Sequence, residues 1–241
     1  MTASENTSTP PACRICGGDT GMLGSVDGSF SGRSYELRRC RDCRYAFIAD
    51  PWTDFAQIYD DRYYAGRGAD PLVDYEFELA SPQETIRVYE WRGITRIVAS
   101  LMGSLDGIRW LDFGAGNGGL VRYVSAHTGA TPVGFEEGSI ARRARELGIA
   151  VESGLGPEDN GAYDVVTAIE VLEHTLDPVA ELRRIRALLR PGGLLVLTSR
   201  NWEAVRAEGS RLEVAEQIVE RDGRGAVAVY TWTMAANWDD E

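Results

Sequence analysis

The second half of the chain alternates short apolar runs with longer segments whose apolar residues recur at helical spacing. Runs of four to seven residues bounded by turn-forming residues predict buried strands, and the segments of helical period predict helices between them. Strands that alternate with helices predict an α/β fold with a doubly wound, mostly parallel sheet over 106–241. The strands are expected at 108–113, 131–135, 149–152, 163–169 and 194–198, and the helices at 117–127, 139–147 and 178–189.

Residues 51–105 form an aromatic and then helical segment that connects this sheet to the N-terminal part of the chain. Ser81 can cap a helix, Pro82 suits its first position and Glu84 completes a capping box, so we expect a helix to begin there. After the last core strand, residues 203–220 predict a helix and 226–234 a single strand.

The four cysteines form two Cys-x-x-Cys pairs, separated by 23 residues, in a turn-rich region at 12–50. This spacing predicts a small zinc-ribbon-like module in which four thiolates complete a tetrahedral shell. A closed shell makes the zinc structural, and four reduced cysteines without metal are the alternative. The Ser- and Thr-rich residues 1–11 are expected to be a disordered tail. The expected ligands are Cys13, Cys16, Cys40 and Cys43.

The 241-residue chain carries a formal net charge of -12. An acidic surface repels phosphate backbones, which argues against nucleic acid as a general partner. No run approaches the roughly 20 apolar residues that a membrane helix needs, and the N-terminus lacks the basic start and apolar run of a secretory signal. These features predict a cytoplasmic protein without a membrane partner.

A glycine-rich turn follows the first predicted strand and opens the next helix. Glycines there allow a sharp turn and a close approach of a ligand to the backbone, and Glu136 can accept ribose hydroxyls about 20 residues later. The spacing from Gly114 to Gly119 also fits a dinucleotide site, but Asp112 would repel a pyrophosphate and suits a cationic sulfonium. The expected contacts from the turn are Asp112, Gly114, Ala115, Gly116 and Asn117.

Three further segments, 163–166, 169–178 and 188–197, follow in the order and at the spacing of a known family. With the glycine turn, they make residues 106–201 resemble a class I, Rossmann-like S-adenosylmethionine-dependent methyltransferase. The resemblance implies that the turn holds the methionine portion of the cofactor and that Glu136 holds its ribose. It also implies that Ile169 and Glu170 line the cofactor and methyl-transfer pocket, and that Asp159 contacts the adenine.

Two acids and a histidine, Glu170, Glu173 and His174, follow the fourth predicted strand. Their spacing resembles the Glu-x-x-Glu-His segment that binds Mg²⁺ in O-methyltransferases of the ubiquinone-pathway type, and carboxylate oxygens suit that ion. A neutral His174 could instead take the proton of a hydroxyl acceptor as a general base. The alternative is that Glu173 and His174 begin a helix and make local hydrogen bonds only.

The front half resembles a subset of these enzymes that carry a CxxC…CxxC zinc-binding module and a Tyr-Tyr segment before the core. Many of that subset act on sugars or in natural-product and glycan assembly, which implies a small-molecule acceptor: a sugar, a glycan precursor or a natural-product intermediate. Four tyrosines could cover the cofactor or grip an acceptor ring, or else form an apolar seam between module and core. These are Tyr59, Tyr63, Tyr64 and Tyr75.

The C-terminal end is expected to be shortened, because the family usually finishes its sheet with a β-hairpin and only about 40 residues follow Ser199. An open sheet edge could be covered by a second subunit in a homodimer. Two other functions stay open at this point. One is a nicotinamide-dependent oxidoreductase on the same fold, and the other is a non-catalytic zinc-ribbon interaction protein with a degenerate methyltransferase domain.

Overall fold

The computed structural model describes residues 10–69, 74–198, 213–220 and 226–233. Its first element is a three-stranded antiparallel sheet of β1 (Thr20–Asp27), β2 (Ser34–Cys40) and β3 (Ala46–Ile48). Short strands joined by turns therefore lie between and after the cysteine pairs. Residues 1–9 of the expected tail lie outside the described part of the chain.

Four helices connect this small sheet to the core: α1 (Phe55–Ile58), α2 (Asp61–Tyr64), α3 (Tyr75–Ala80) and α4 (Arg87–Met102). The first three begin at Asp54, Asp60 and Asp74, whose carboxylates accept hydrogen bonds from backbone N–H groups of the first turn.

The predicted helix start at Ser81 is wrong. Ser81 instead ends α3, because its N–H donates to the carbonyl of Phe77. The N–H of Arg87 donates to the Thr85 hydroxyl at the beginning of α4. A capping box is a local pattern, and here a turn at residues 82–84 separates two helices instead of starting one.

Five strands form the core sheet in the order β6-β5-β4-β7-β8, and every neighbouring pair is parallel. The prediction of a doubly wound, mostly parallel sheet is confirmed, with element ends within a few residues of those expected except for β8, which begins five residues early. The order reverses between β4 and β7, and ligands bind at such a switch point, beyond the carboxyl ends of the strands. The elements are β4 (Arg109–Phe113), α5 (Gly119–His127), β5 (Thr131–Phe135), α6 (Ile140–Glu146), β6 (Val151–Glu152), β7 (Tyr163–Ile169), α7 (Pro178–Leu188) and β8 (Leu189–Thr198).

The alternation of side chains along β4 builds a core on both faces of the sheet. Trp110 packs with Val98 of α4 and Val124 of α5 on one face, whereas Leu111 packs with Ile185 of α7 on the other. All five side chains are at most 1% exposed, and burial of each stabilises the fold by about 1.5–3 kcal/mol. The sheet is therefore held rigidly at the point where β4 ends and the glycine turn begins.

A separate antiparallel hairpin is formed by β9 (Glu213–Glu220) and β10 (Ala226–Thr233). The predicted strand at 226–234 is confirmed over 226–233, but the predicted helix at 203–220 is wrong over 213–220. Helix propensity is a weak local preference, and pairing with a partner strand rich in β-branched residues overrides it. Residues 203–212 lie outside the described part of the chain. None of the helices within the described ranges is long and apolar enough to cross a membrane.

Candidate active site

A cavity of about 590 Å³ opens at the switch point between β4 and β7. This volume is in the range of small-molecule and cofactor sites. Its wall carries six carboxylates and six aromatic rings, and Arg87 is the one guanidinium among the described residues that line it. The acids are Glu78, Glu90, Asp112, Glu136, Glu137 and Glu170, and the aromatic residues are Phe55, Tyr59, Tyr63, Tyr64, Tyr75 and Trp91.

The glycine turn forms the floor of this cavity. Gly114 has a φ of +78°, and a Cβ placed there would lie 2.6 Å from Cγ2 of Val171. Gly116 has a φ of +53°, and its Cβ would lie 3.0 Å from the ring of Tyr75. Both positions need glycine because of the left-handed backbone and the close neighbours. The absent side chains make room for Val171 and Tyr75, which also line the cavity.

Asn117 joins the turn to the segment before it. Its amide Nδ2 donates to Oε2 of Glu78 at 2.9 Å, and its Oδ1 accepts from the N–H of Gly119 at 2.9 Å. The helix begins at Gly119, two residues after the expected start. The Asn117 side chain therefore caps one N–H group of this helix, while the other end of its amide fixes a cavity wall.

Asp112 is held by a buried chain of hydrogen bonds that the sequence did not predict. The Trp110 indole Nε1 donates to Thr167 Oγ1 at 3.1 Å, and the Thr167 hydroxyl donates to Oδ1 of Asp112 at 2.7 Å. Burial raises the pKa of Asp112 to about 7, although the Thr167 hydrogen bond opposes this rise. The carboxyl therefore changes its charge near neutral pH. Asp112 and Thr167 come from adjacent strands and are 55 positions apart, so no local sequence pattern indicates this chain of hydrogen bonds.

Glu136 lies across the turn from Asp112, at the end of β5. Its Oε2 accepts from the N–H of Gly116 at 2.9 Å, and its Oε1 accepts from the N–H of Gly138 at 2.7 Å. Because each carboxylate oxygen has two acceptor sites, both oxygens keep capacity for ligand hydroxyls. The two backbone donors fix the carboxylate at the cavity wall in the place expected for a ribose partner.

Arg87, at the start of α4, is surrounded by three carboxylates that line the same cavity. Its Nη1 lies 2.8 Å from Glu90 Oε2 and 3.5 Å from Glu170 Oε2, and its Nε lies 3.5 Å from Glu78 Oε1. Burial alone would lower the pKa of Arg87, but the surrounding carboxylates raise it overall. The guanidinium stays charged and is shared among three acids, so the wall keeps a strong negative charge. No local sequence pattern indicates this cluster, because Arg87 and Glu170 are 83 positions apart.

Glu170 leads the chain from β7 into the loop before α7. Its backbone has a φ of +52°, which is uncommon for a residue with a side chain and is often found at functional sites. Its N–H donates to the Thr198 hydroxyl at 3.0 Å. Ile169, just before it, also lines the cavity, so both residues expected to do so are there.

His174 reaches the mouth of the cavity and contacts Tyr59, with 3.1 Å between His174 Nδ1 and the Tyr59 hydroxyl. Burial raises the pKa of Tyr59 to about 12, so the phenol stays protonated at neutral pH. Glu173 is exposed and is not among the residues that line the cavity. Among the described residues, only the cysteines bring three or more ligand atoms within 4.8 Å of one another. The structure thus does not assemble Glu170, Glu173 and His174 into a Mg²⁺ shell.

Asp159 does not reach the cavity, contrary to the expectation of an adenine contact. Its carboxylate accepts from the N–H of Gly156 at 2.8 Å and from the Tyr163 hydroxyl at 2.7 Å. Those bonds close a single turn of 3₁₀ helix at Pro157–Asp159. Asp159 is therefore a turn-forming residue in this structure.

The four tyrosines form one continuous group along the cavity wall. Tyr63 is central, with its ring centroid 4.9 Å from that of Tyr59, 5.3 Å from that of Tyr64 and 6.1 Å from that of Tyr75. Tyr63 and Tyr64 also pack against Ala115 and residues of α6. The group therefore packs against core residues and lines the cavity, while its role toward a cofactor, an acceptor or the cysteine module stays a prediction.

The four cysteine sulfurs converge, and all of them lie within 4.8 Å of one another. Cys13 Sγ and Cys43 Sγ are 3.5 Å apart, and so are Cys16 Sγ and Cys40 Sγ. Four sulfurs about 2.3 Å from one zinc ion are separated by roughly 3.8 Å, so the donor set fits a tetrahedral thiolate site. Each contacting pair joins one Cys-x-x-Cys to the other, as a shared ion requires.

The chain is similar to curated proteins over part of its length. It is 35% identical over 159 residues to the ubiquinone biosynthesis O-methyltransferase of Bordetella avium, which covers 61% of this chain and 62% of that protein. It is 38% identical over 111 residues to the protein of the same name from Marinobacter nauticus, covering 41% of this chain and 46% of that one. The chain thus spans less than two thirds of the length of these relatives.

Solved structures and a family model extend the comparison. The PH0226 protein from Pyrococcus horikoshii matches with a TM-score of 0.44 and 17% identity, over 66% of this chain and 83% of that one. The family described as "Methyltransferase domain" matches residues 84–228, which include the glycine turn, Glu136 and His174. Because this match covers more than half of the chain, the protein belongs to the methyltransferase-domain family and has the fold of the class I S-adenosylmethionine-dependent methyltransferases.

Proposed function

We propose that the protein transfers a methyl group from S-adenosylmethionine to a small-molecule acceptor. The observation that carries the proposal is the cavity in which the glycine turn, Asp112 and Glu136 meet at the switch point of the sheet. A sulfonium nucleoside suits a wall with six carboxylates, whereas a nicotinamide dinucleotide would bring a pyrophosphate against them. The similarity to O-methyltransferases supports the same reaction class.

The residues of the cavity divide the work of binding. Backbone N–H groups of the turn and the Asp112 carboxylate would hold the methionine portion, and Glu136 would accept hydrogen bonds from the ribose. Ile169 and the buried tyrosines would exclude water from the reacting atoms. When bound, S-adenosylmethionine supplies an electrophilic methyl group on a positively charged sulfur.

His174 is the residue best placed to remove a proton from a hydroxyl acceptor. When Nδ1 donates its hydrogen to the Tyr59 oxygen, Nε2 keeps a free lone pair that can accept the hydroxyl proton. His174 would hold that proton while the acceptor oxygen took the methyl group that bound S-adenosylmethionine would supply. Tyr59 acts by fixing the ring orientation of His174.

The charge of the wall favours a neutral or cationic acceptor. Six carboxylates face the cavity, and the guanidinium of Arg87 is already shared among three of them. A phosphate or carboxylate on the acceptor would be desolvated without a free cationic partner among the described residues of the wall. Within the class of sugars, glycan precursors and natural-product intermediates, the cavity therefore favours molecules without acidic groups.

We also propose that the four cysteines hold a structural zinc ion. The converging sulfurs and the closed four-ligand shell support this proposal. The small sheet of β1, β2 and β3 has few buried apolar residues, so a metal would supply stability that its core lacks.

Calorimetric titration tests the cofactor assignment. We expect S-adenosylmethionine to bind and NADH not to bind, and we expect Asp112→Asn and Glu136→Ala each to weaken binding at least tenfold. Asp159→Asn is the matched control, because this acid lies outside the cavity and should leave binding unchanged. Binding of NADH in preference to S-adenosylmethionine would refute the proposal.

Transfer of a labelled methyl group tests the acceptor class. The acceptors in each set share a scaffold and differ only in carrying a neutral, amine, carboxylate or phosphate substituent. We expect methylation of the acceptors with the neutral or the amine substituent. Preferential methylation of the phosphorylated member would overturn the charge argument.

A further inference from the structure

Arg14 of the cysteine module donates a hydrogen bond to the loop at 170–177, which carries His174. We propose that Arg14 makes the module a brace, a fixed support, for the loop at 170–177. Metal binding by the four cysteines then positions His174 against Tyr59. The inference rests on the proposed function for its catalytic meaning, but the mechanical link is read from hydrogen bonds alone. Arg14 is thus assigned as a positioning residue that acts through the loop.

Within the module, the Arg14 side chain is fixed at several points. Its Nη2 donates to the carbonyl of Ile48 at 3.2 Å and to that of Ala49 at 3.5 Å, and its guanidinium carbon lies 5.0 Å from the centre of the Phe47 ring. The planar guanidinium offers five N–H donors in a rigid fork, so contacts on one side fix the direction of the other.

The other side of the guanidinium reaches the core domain. Nη1 of Arg14 donates to the carbonyl of Leu176 at 3.2 Å, 162 positions along the chain. Leu176 lies two residues after His174, in the segment that connects β7 to α7. A displacement of the Leu176 carbonyl therefore moves the His174 ring relative to Tyr59.

Binding of one metal ion by the four cysteines would fix the position of Arg14 itself. Arg14 lies between Cys13 and Cys16, so both neighbouring ligand positions fix its backbone when the four sulfurs share an ion. The second pair holds an arginine at the equivalent place, Arg41 between Cys40 and Cys43. Arg14 donates a hydrogen bond to the 170–177 loop, whereas the hydrogen bonds among the described residues include none from Arg41 to that loop. Arg41 is accordingly the matched control.

The two histidines of the chain make the test possible without a known acceptor. Imidazole nuclear magnetic resonance of the full chain reports His174 and His127 separately, because the sequence contains only these two. His127 stacks on Tyr123 at 4.1 Å, and its Nδ1 lies 2.8 Å from the Tyr123 carbonyl, within one helix. It therefore serves as an internal reference, and Tyr59→Phe gives the signal of a released His174.

We expect Arg14→Met to move the His174 resonances toward those of Tyr59→Phe while His127 stays in place and the metal content stays at one ion per chain. Removal of the metal by a chelator should produce the same shift, and Arg41→Met should produce none. Methyl transfer by Arg14→Met should fall about fivefold in kcat, the loss equivalent to one hydrogen bond, with the KM for S-adenosylmethionine unchanged.

Two results would overturn the brace. One is an unmoved His174 signal in Arg14→Met with full metal content, and the other is an equal shift in Arg14→Met and Arg41→Met. If Arg14→Met loses its metal, Arg14→Gln, whose shorter side chain lacks the guanidinium fork, replaces it and is judged by the same two results. Failure of the proposed function can be distinguished from failure of the brace. In that case the wild type would not bind S-adenosylmethionine, while the His174 resonances could still respond to Arg14→Met.

Discussion

Replacement of Thr167 by valine would change the pKa of Asp112 while keeping the shape of its surroundings. The substitution keeps the shape of a fully buried side chain and removes the hydroxyl that donates to Asp112 at 2.7 Å. A hydrogen bond to a charged group contributes about 1.5–3 kcal/mol, and one pKa unit corresponds to 1.36 kcal/mol. The pKa of Asp112, about 7 in the wild type, should therefore rise by about one to two units.

The direction of the pH effect follows from the charge of the ligand. Protonated Asp112 does not attract the sulfonium, so binding of S-adenosylmethionine weakens as the pH falls through the pKa of this carboxyl. At pH 7.5, a rise of about 1.5 units lowers the ionised fraction about eightfold. The Thr167→Val variant should bind correspondingly more weakly at this pH and recover its affinity near pH 9.

Calorimetric titrations from pH 6 to pH 9 would measure this shift, with Thr167→Ser as the control that keeps the hydroxyl. The valine variant also leaves the Trp110 indole N–H without its acceptor, which lowers the free energy of unfolding by about 1–3 kcal/mol and is measured separately by thermal denaturation. Parallel pH profiles for the valine variant and the wild type would refute the role given to Thr167.

Four further outcomes are expected. Gly114→Ala should weaken cofactor binding at least tenfold in titrations, because its Cβ would lie 2.6 Å from Val171, and Val171→Ala should restore only part of it since φ stays positive. Tyr59→Phe should lower kcat for hydroxyl acceptors severalfold and leave cofactor affinity unchanged. Cys13→Ser should lower both zinc content, measured by atomic absorption, and the melting temperature. Because the pKa of Asp112 is raised in the folded protein, Asp112 ionises at a lower pH in the unfolded chain, and the free energy of unfolding falls as pH rises from about 4 to about 7. Asp112→Asn should therefore raise the melting temperature above pH 7 and not at pH 4.

The core fold was predictable because its strands are short, apolar and separated by segments of helical period. The glycine turn, Glu136 and Ile169 were also found from sequence, since each lies at the carboxyl end of a strand whose position the pattern gives. The failures were at Ser81 and at 213–220, where a local capping pattern and helix propensity gave way to an interrupting turn and a partner strand.

The electrostatic arrangement of the site was not predictable from local pattern. Arg87 meets Glu170 across 83 positions, and Tyr59 meets His174 across 115. Such contacts depend on how whole elements pack, which periodicity does not report. The misplacement of Asp159 has the same origin, because its position after a strand was known but its bonds to Gly156 and Tyr163 were not.

Under the proposed function, the acidic wall of the cavity affects how tightly the cofactor binds before and after each methyl transfer. Methyl transfer would remove the positive charge from sulfur and leave only the α-ammonium, so the thioether product would meet six carboxylates without the sulfonium. The chemical step would thereby weaken binding of the product and favour its release. Inhibition by S-adenosylhomocysteine should be weak at low ionic strength and should rise relative to substrate affinity as salt screens the carboxylates.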